Sequence, residues 1–376
     1  MIKTITVPYF ISCLVGLLGC VFAAKAVDLG GTHFSDSLIQ VGEGQPAVTV
    51  CDFNSDGNQD VIVANYSDNN MITYQGDGKG GLTEVGRYLV GQNPTGMAVS
   101  DINSDGNVDV IIANHETSYV TLLFGDGKGS FNKAPNSPFN IGVHPHPHEV
   151  QLSDLDGDAF VDLVVDSRDD EGVLVLKGLG NGTFATPGKV ISVGGDPYRG
   201  FAIKDLNGDG HLDLVTPNQR DVGVVISTDS DKMSFSLNKL QQSEAPFAVE
   251  LADLNGDGNL DLVVATNGSS ISVIPGDGNG HFQIDQKITI DASNGAKQIA
   301  VGDINGDGLE DALITNWSGE ILAILGSKTA INTTSFKHPR IPNPWGVALT
   351  DLNNDGKSDF IIADGDSNVA VVYVSQ

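Results

Sequence analysis

The feature that most constrains this sequence is a nine-residue pattern, Asp-x-Asn-x-Asp-Gly-x-x-Asp, that returns along almost the whole chain. It runs from Asp52 to Asp60, Asp101 to Asp109, Asp205 to Asp213, Asp253 to Asp261, Asp303 to Asp311 and Asp351 to Asp359, with an altered copy from Asp154 to Asp162. The first aspartates stand 48 to 53 residues apart, so seven units of nearly equal length follow one another. Units of that size cannot bury an apolar face alone. They fold as an array in which neighbours cover one another.

Each unit reads as β-structure. A short apolar stretch precedes the motif, as in Met97 to Val99 or Phe247 to Val249, and a run such as Val110 to Ile112 or Leu262 to Val264 follows it. These runs are too short for helices and rich in β-branched residues. In the second unit a third strand covers Val120 to Phe124, a glycine-rich turn spans Gly125 to Gly129, and Phe131 opens a fourth strand. Similar turns lie at Gly76 to Gly80, Gly178 to Gly182 and Gly276 to Gly280. Four strands per repeat of this length make a propeller blade. The expected fold is therefore all-β, a seven-bladed β-propeller of four-stranded antiparallel blades over residues 27–376.

The chain ends predict how the ring closes. Asp351 to Gln376 is half a repeat, and Val27 to Cys51 is the missing half. His33 to Gln40 resembles the fourth strands elsewhere, so the N-terminal strand is expected to complete the last blade and hide two sheet edges.

Residues 1–26 read as a targeting segment. Lys3 gives a positive start, Ile5 to Phe22 is mostly apolar, and Ala24-Lys25-Ala26 is a small-x-small cleavage pattern. A cleaved export signal is the main reading, which places the mature chain outside the cell, in a periplasm or on a cell surface. Lipid attachment at Cys20, after Leu17-Leu18-Gly19, and retention as an uncleaved anchor are the alternatives. Cys13 and Cys20 fall in this segment, which leaves Cys51 alone in the mature chain and no partner for a disulfide. Cys51 precedes the first motif and reads as a small buried residue rather than a reactive thiol.

Why carboxylates at this spacing? Ca²⁺ takes six to eight hard oxygens, and alternate side chains of a tight loop converge on one point. Positions one, three, five and nine offer side chains, position seven its carbonyl, and the glycine at six permits the turn. The expected ligands are Asp52, Asn54, Asp56, Asn58 and Asp60; Asp101, Asn103, Asp105, Asn107 and Asp109; Asp154, Asp156, Asp158, Phe160 and Asp162; Asp205, Asn207, Asp209, His211 and Asp213; Asp253, Asn255, Asp257, Asn259 and Asp261; Asp303, Asn305, Asp307, Leu309 and Asp311; Asp351, Asn353, Asp355, Lys357 and Asp359. Position twelve is apolar (Val63, Ile112), so these loops differ from EF-hands and sit in β-hairpins. In the third copy Ala159 replaces the turn glycine, and that site is expected to be occupied but distorted. Acids outnumber bases 48 to 20, a formal charge of −28 that seven Ca²⁺ ions would halve. Such a charge argues against nucleic-acid binding, and no apolar run after the first segment approaches membrane length.

With these loops and the Phe124-Gly125 to Gly129-Ser130-Phe131 pattern, the chain resembles FG-GAP/VCBS repeat proteins. That family includes the integrin α-subunit head and a fungal lectin propeller. The resemblance implies the propeller fold and calcium, and leaves adhesion, lectin and enzyme-associated roles open.

Strand order places the calcium loops and glycine-rich turns on one face. Function is expected on the other, where residues are free of the metal's demands. Six residues before each first aspartate stand Pro46, Thr95, His148, Arg199, Phe247, Lys297 and Trp345, expected to ring the mouth of the central channel in exposed loop ends. Six residues after each ninth-position aspartate stand Tyr66, His115, Arg168, Gln219, Asn267, Trp317 and Gly365. Aromatic rings stack on sugars and arginine forks onto carboxylates, so His148, Arg168, Arg199, Phe247, Lys297, Trp317 and Trp345 are the candidate ligand-binding residues. A glycan, possibly uronic, is the leading ligand; an extracellular protein partner comes second. A monomer is expected. His144, His146 and His148 alternate with prolines and are candidate ligands for a transition metal. With Tyr198 and Arg199 they also support a third reading, a polysaccharide lyase. No nucleophile motif, phosphate-binding loop or dinucleotide fingerprint occurs, and no catalytic residue is assigned.

Overall fold

The computed structural model describes residues 27–142, 146–166, 172–197, 200–229 and 233–376. The expected leader at 1–26, and with it Cys13 and Cys20, lies outside the described residues, as do His144, Arg168, Tyr198 and Arg199. Among the described residues there is no α-helix, only a short 3-10 turn at Ile284–Gln286.

Seven antiparallel sheets form, one per repeat. In the first blade the strands are Pro46–Cys51, Asp60–Asn65, Asn70–Gly76 and Leu82–Leu89, neighbours in chain order. The motif is the hairpin between the first two strands, with Cys51 opposite Asp60 and Pro46 opposite Asn65 at the far end. The last blade takes Pro344–Thr350, Asp359–Asp364 and Val369–Ser375 from the C-terminus. Its fourth strand is Thr32–Gln40, paired antiparallel from Phe34 opposite Ser375 to Gln40 opposite Val369. The closure expected from the chain ends is the one observed, and Val27–Leu29 adds a fifth strand outside it.

The burial pattern explains the sequence pattern. Second and third strands are covered on both faces, so Val61 to Ala64 are all fully buried and read as a continuous apolar run. Outer strands such as Leu82–Leu89 are mostly exposed and carry polar residues. The core consists of clusters that each span two neighbouring blades: Val61, Val63 and Ile72 of the first blade meet Ile361, Ala363 and Val372 of the last. Position two of every motif (Phe53, Ile102, Leu155, Leu206, Leu254, Ile304 and Leu352) is buried in these seams. Each acid loop is thus pinned to the core by its own second residue.

The first strand of each blade is innermost. Val48, Thr95, Gln151, Phe201, Val249, Ile299 and Val347, one from each blade, line a central cavity of about 220 Å³.

Candidate functional site

The acid loops share one hydrogen-bond plan. In the first, Asp52 accepts from the backbone N–H of Asp56 (3.1 Å) and Gly57 (2.8 Å), Asn54 Oδ1 from Asp56 N–H (3.0 Å), and Asp56 Oδ1 from Asn58 N–H (2.9 Å). The same bonds recur around Asp101, Asp205, Asp253, Asp303 and Asp351. They fix the side-chain oxygens of positions one, three and five on a tight turn whose sixth residue is left-handed, with Gly57 at φ 87° and Gly106 at φ 86°. Position four is left-handed as well, for instance Ser55 at φ 59° and Gly208 at φ 71°, a second constraint that the motif's spacing did not disclose.

Position nine has a role the sequence reading missed. Asp60 is fully buried, and its two oxygens accept from Phe53 N–H (3.1 Å) and Gly76 N–H (2.8 Å). The carboxylate therefore ties its loop to the end of the third strand, and Asp109, Asp162, Asp213, Asp261, Asp311 and Asp359 do likewise. The two Asp60 oxygens each keep a further lone pair for a cation, whereas Asp261 Oδ1 and Asp359 Oδ1 accept a second bond, from the Asn255 side-chain N–H and the Ser375 hydroxyl. Burial pushes the Asp60, Asp109, Asp162, Asp261 and Asp311 carboxyls up to about 6, and raises Asp213 and Asp359 in the same direction. Buried acids in a cluster of acids are costly unless a cation compensates. An all-oxygen donor set around each turn fits Ca²⁺.

The third loop differs in two ways. Ala159 takes the left-handed conformation at φ 73°, as its place in the motif requires. Asp154, Asp156 and Asp162 bring carboxylate oxygens within 4.8 Å of one another. Onto this cluster the structure lays an ammonium: Lys177 pairs with Asp156 and lies 3.0 Å from Asp158 Oδ2. Among the described residues it is the one basic side chain in an ion pair with a loop aspartate. The corresponding residue in the first blade is Gln75, which donates to Asp56 Oδ2 (3.0 Å). The expectation of an occupied, merely distorted third site omitted this built-in cation.

The opposite ends of these hairpins lie five residues away, roughly 16 Å at the rise of a strand. There the structure joins residues from three consecutive blades. Trp317 meets Trp345 edge-on, with centroids 5.2 Å apart, and Phe247 at 6.3 Å. The Lys297 ammonium sits 4.7 Å from the Trp317 ring and 5.1 Å from the Trp345 ring. It also donates to Pro344 O (2.9 Å) and to the Asn343 side-chain carbonyl. Burial draws its pKa down to about 8, against the pull of Asp364 and Asp366.

Burial at this mouth corrects the expectation of exposed loop ends. Lys297 is 2% exposed, Phe247 and Trp345 4% each, and only Trp317 stands open, at 42%. The reason is packing: the Trp317 ring, just after the second strand of the sixth blade, lies against Phe247, Trp345 and the Lys297 ammonium and takes the solvent face. Pro46 is buried and Thr95 half-buried.

A second cluster forms on the same face. His146 and His148 lead into the inner strand of the third blade, and His115 follows the second strand of the second. His115 Nε2 lies 3.0 Å from His146 Nε2 and 3.2 Å from His148 Nε2. His146 and His148, both expected from their spacing, converge, and a further imidazole comes from a neighbouring blade; His144 lies outside the described residues. Cys51 is half-buried, and burial pushes its thiol up to about 12, as suits an inert residue.

Comparison with known proteins places this geometry. The family described as FG-GAP-like repeat matches residues 52–100, 101–165, 154–216 and 253–314. No curated protein matches the sequence. Among solved structures, BBS1N in complex with ARL6DN superposes with a TM-score of 0.63 at 12% identity, covering 91% of this chain and 97% of that one. A lectin of Agrocybe aegerita that recognises non-reducing terminal N-acetylglucosamine gives 0.52 at 17% identity, covering 90% and 94%. YCF48 bound to D1 peptide gives 0.58 at 10%, covering 94% and 100%. At these identities the likeness is one of fold.

Proposed function

The chain belongs to the FG-GAP repeat family, and from that premise we propose that it is an exported recognition module whose acid loops hold Ca²⁺ and whose opposite face takes a glycan. The observation that carries the glycan is the Trp317 cluster. One indole lies open beside a concave channel mouth, and it is braced from beneath by Trp345, Phe247 and a buried ammonium. An exposed, rigidly backed aromatic face suits the apolar face of a sugar ring, at little cost in side-chain entropy. Lys297 adds positive potential to a strongly acidic protein at this mouth, which favours an anionic sugar over a neutral one.

Calcium is supported by the oxygen-only donor sets, by their repetition, and by burial of acids that need a counter-charge. Propellers of this fold that carry a protein, a peptide or a sugar at a recognition surface are consistent with a binding role. A protein partner is the second reading. The lyase reading needs Tyr198 and Arg199, which lie outside the described residues.

The test is a glycan array probed with the chain in saturating Ca²⁺, with uronic-acid polysaccharides included and unsaturated-product absorbance followed in parallel. Retention of one glycan class without product absorbance supports the proposal. A folded chain that binds no glycan, or that generates unsaturated product, overturns it.

A further inference from the structure

We propose that His115, His146 and His148 form a transition-metal site at the channel mouth, fitted to Zn²⁺ and separate from the acid loops. One ring nitrogen of each histidine lies within 4.8 Å of the other two, and the Nε2 separations from His115 to His146 and His148 are 3.0 and 3.2 Å. Protons satisfy such a cluster poorly. Each Nε2 carries either one hydrogen or one lone pair, and His115 Nε2 has two Nε2 neighbours. One cation serves all three. With Zn–N bonds of 2.0–2.1 Å, tetrahedral geometry puts ligand nitrogens roughly 3.3–3.4 Å apart, close to the 3.0 and 3.2 Å separations here.

The surroundings orient the rings for this. Glu116 Oε1 lies 3.6 Å from Nδ1 of both His115 and His146, and the Tyr66 hydroxyl is 3.3 Å from His115 Nδ1. A carboxylate on that side favours the proton on Nδ1 and leaves the Nε2 lone pairs turned toward the centre, the arrangement by which metal-binding histidines are held elsewhere. Glu116 is itself in the left-handed region, at φ 60°, a conformation that strains a non-glycine residue. The segment bearing His148 is fixed independently. Buried Asp166 accepts from the backbone N–H of His148 (2.9 Å) and of Glu149 (2.6 Å) through one oxygen. Since these bonds need no ion, the site is organised in advance.

The chemistry separates this site from the loops. Imidazole nitrogen suits Zn²⁺, Cu²⁺ and Ni²⁺, whereas Ca²⁺ takes oxygen. Three protein ligands leave a fourth tetrahedral position for water or a ligand atom, beside the cavity that His148 helps to line.

The experiment strips the full chain with chelator, restores saturating Ca²⁺, and titrates ZnCl₂ by calorimetry, with Co²⁺ as a visible reporter. About one equivalent of Zn²⁺ should bind, and Co²⁺ should give the intense visible bands of a tetrahedral site. Glu116→Gln should weaken Zn²⁺ roughly 10–100-fold, and His115→Asn more than that. His281→Ala, on the other face, should leave binding unchanged. Absence of saturable Zn²⁺ uptake by the folded wild type, or wild-type affinity in His115→Asn, overturns the proposal. If His115→Asn does not fold, the Co²⁺ spectrum of the wild type decides: weak octahedral bands alone refute the site.

Discussion

Closure of the ring makes the sharpest quantitative prediction. Phe34 sits in the strand that the N-terminus lends to the last blade. It is fully buried, its ring centroid is 4.9 Å from Phe360, and Phe360 stacks on Tyr373 at 4.4 Å. Phe34→Ala removes that ring from a seam that cannot collapse without moving two blades, so it should destabilise the fold by about 3–5 kcal/mol. Leu38, in the same strand, is 42% exposed, and Leu38→Ala should cost less than about 0.5 kcal/mol. Urea unfolding followed by tryptophan fluorescence reads the difference, because both tryptophans sit on the fifth-to-last-blade arc of the mouth. Removing residues 27–41 altogether also strips Leu29 and Val41 from the core and exposes the edge of Val369–Ser375, which recruits other chains. That truncation should aggregate on size-exclusion chromatography. Equal urea midpoints for Phe34→Ala and Leu38→Ala, or a monomeric truncation with an unchanged midpoint, would refute the reasoning.

Other predictions follow from the loops and the buried lysine. Ala159→Gly relieves a left-handed alanine and should stabilise the chain by roughly 0.5–1 kcal/mol after glycine's greater unfolded-state entropy is counted, as read by thermal melting. Chelation should lower the melting temperature, since ions that bind only the folded state stabilise it. Metal analysis should find six tightly held Ca²⁺ ions in the wild type and a seventh in Lys177→Met; fewer than four would contradict the loop assignment. Lys297 has its folded pKa depressed to about 8, so the unfolded chain binds its proton more tightly. The penalty is fully present below pH 8 and disappears as pH rises toward 10.5; the wild type should therefore gain up to about 3 kcal/mol across that window relative to Lys297→Met. Identical pH profiles for the two would dismiss the buried charge.

How far the sequence reached depends on the range of the interaction. The nine-residue grammar is local, so it disclosed blade number, hairpin position and even the left-handed alanine at position 159. Closure was legible because two partial repeats add to one. What was lost depends on contact between strands distant in sequence and between blades. Lys177 stands 21 residues from Asp156 and reaches it only across the third strand. His115 joins His146 from another blade, a pairing that adjacency in sequence does not show. Burial at the mouth was equally hidden: Trp345 and Trp317 stand at the same end of hairpins in neighbouring blades, yet one is covered by the other. The clamp made by the ninth aspartate was masked by its resemblance to a metal ligand.

Recognition on the face away from the acid loops is tested most directly by titrating the array-selected glycan into three proteins in saturating Ca²⁺. Wild type should bind. Trp317→Ala should bind about 1–3 kcal/mol more weakly, the scale of a lost aromatic anchor, with a smaller fall in melting temperature than Asp253→Ala, since the indole is 42% exposed. Asp253→Ala should melt lower yet, while folded, bind the glycan as the wild type does. Affinity that ignores Trp317 and falls instead with Asp253 would place recognition on the calcium face and contradict the account.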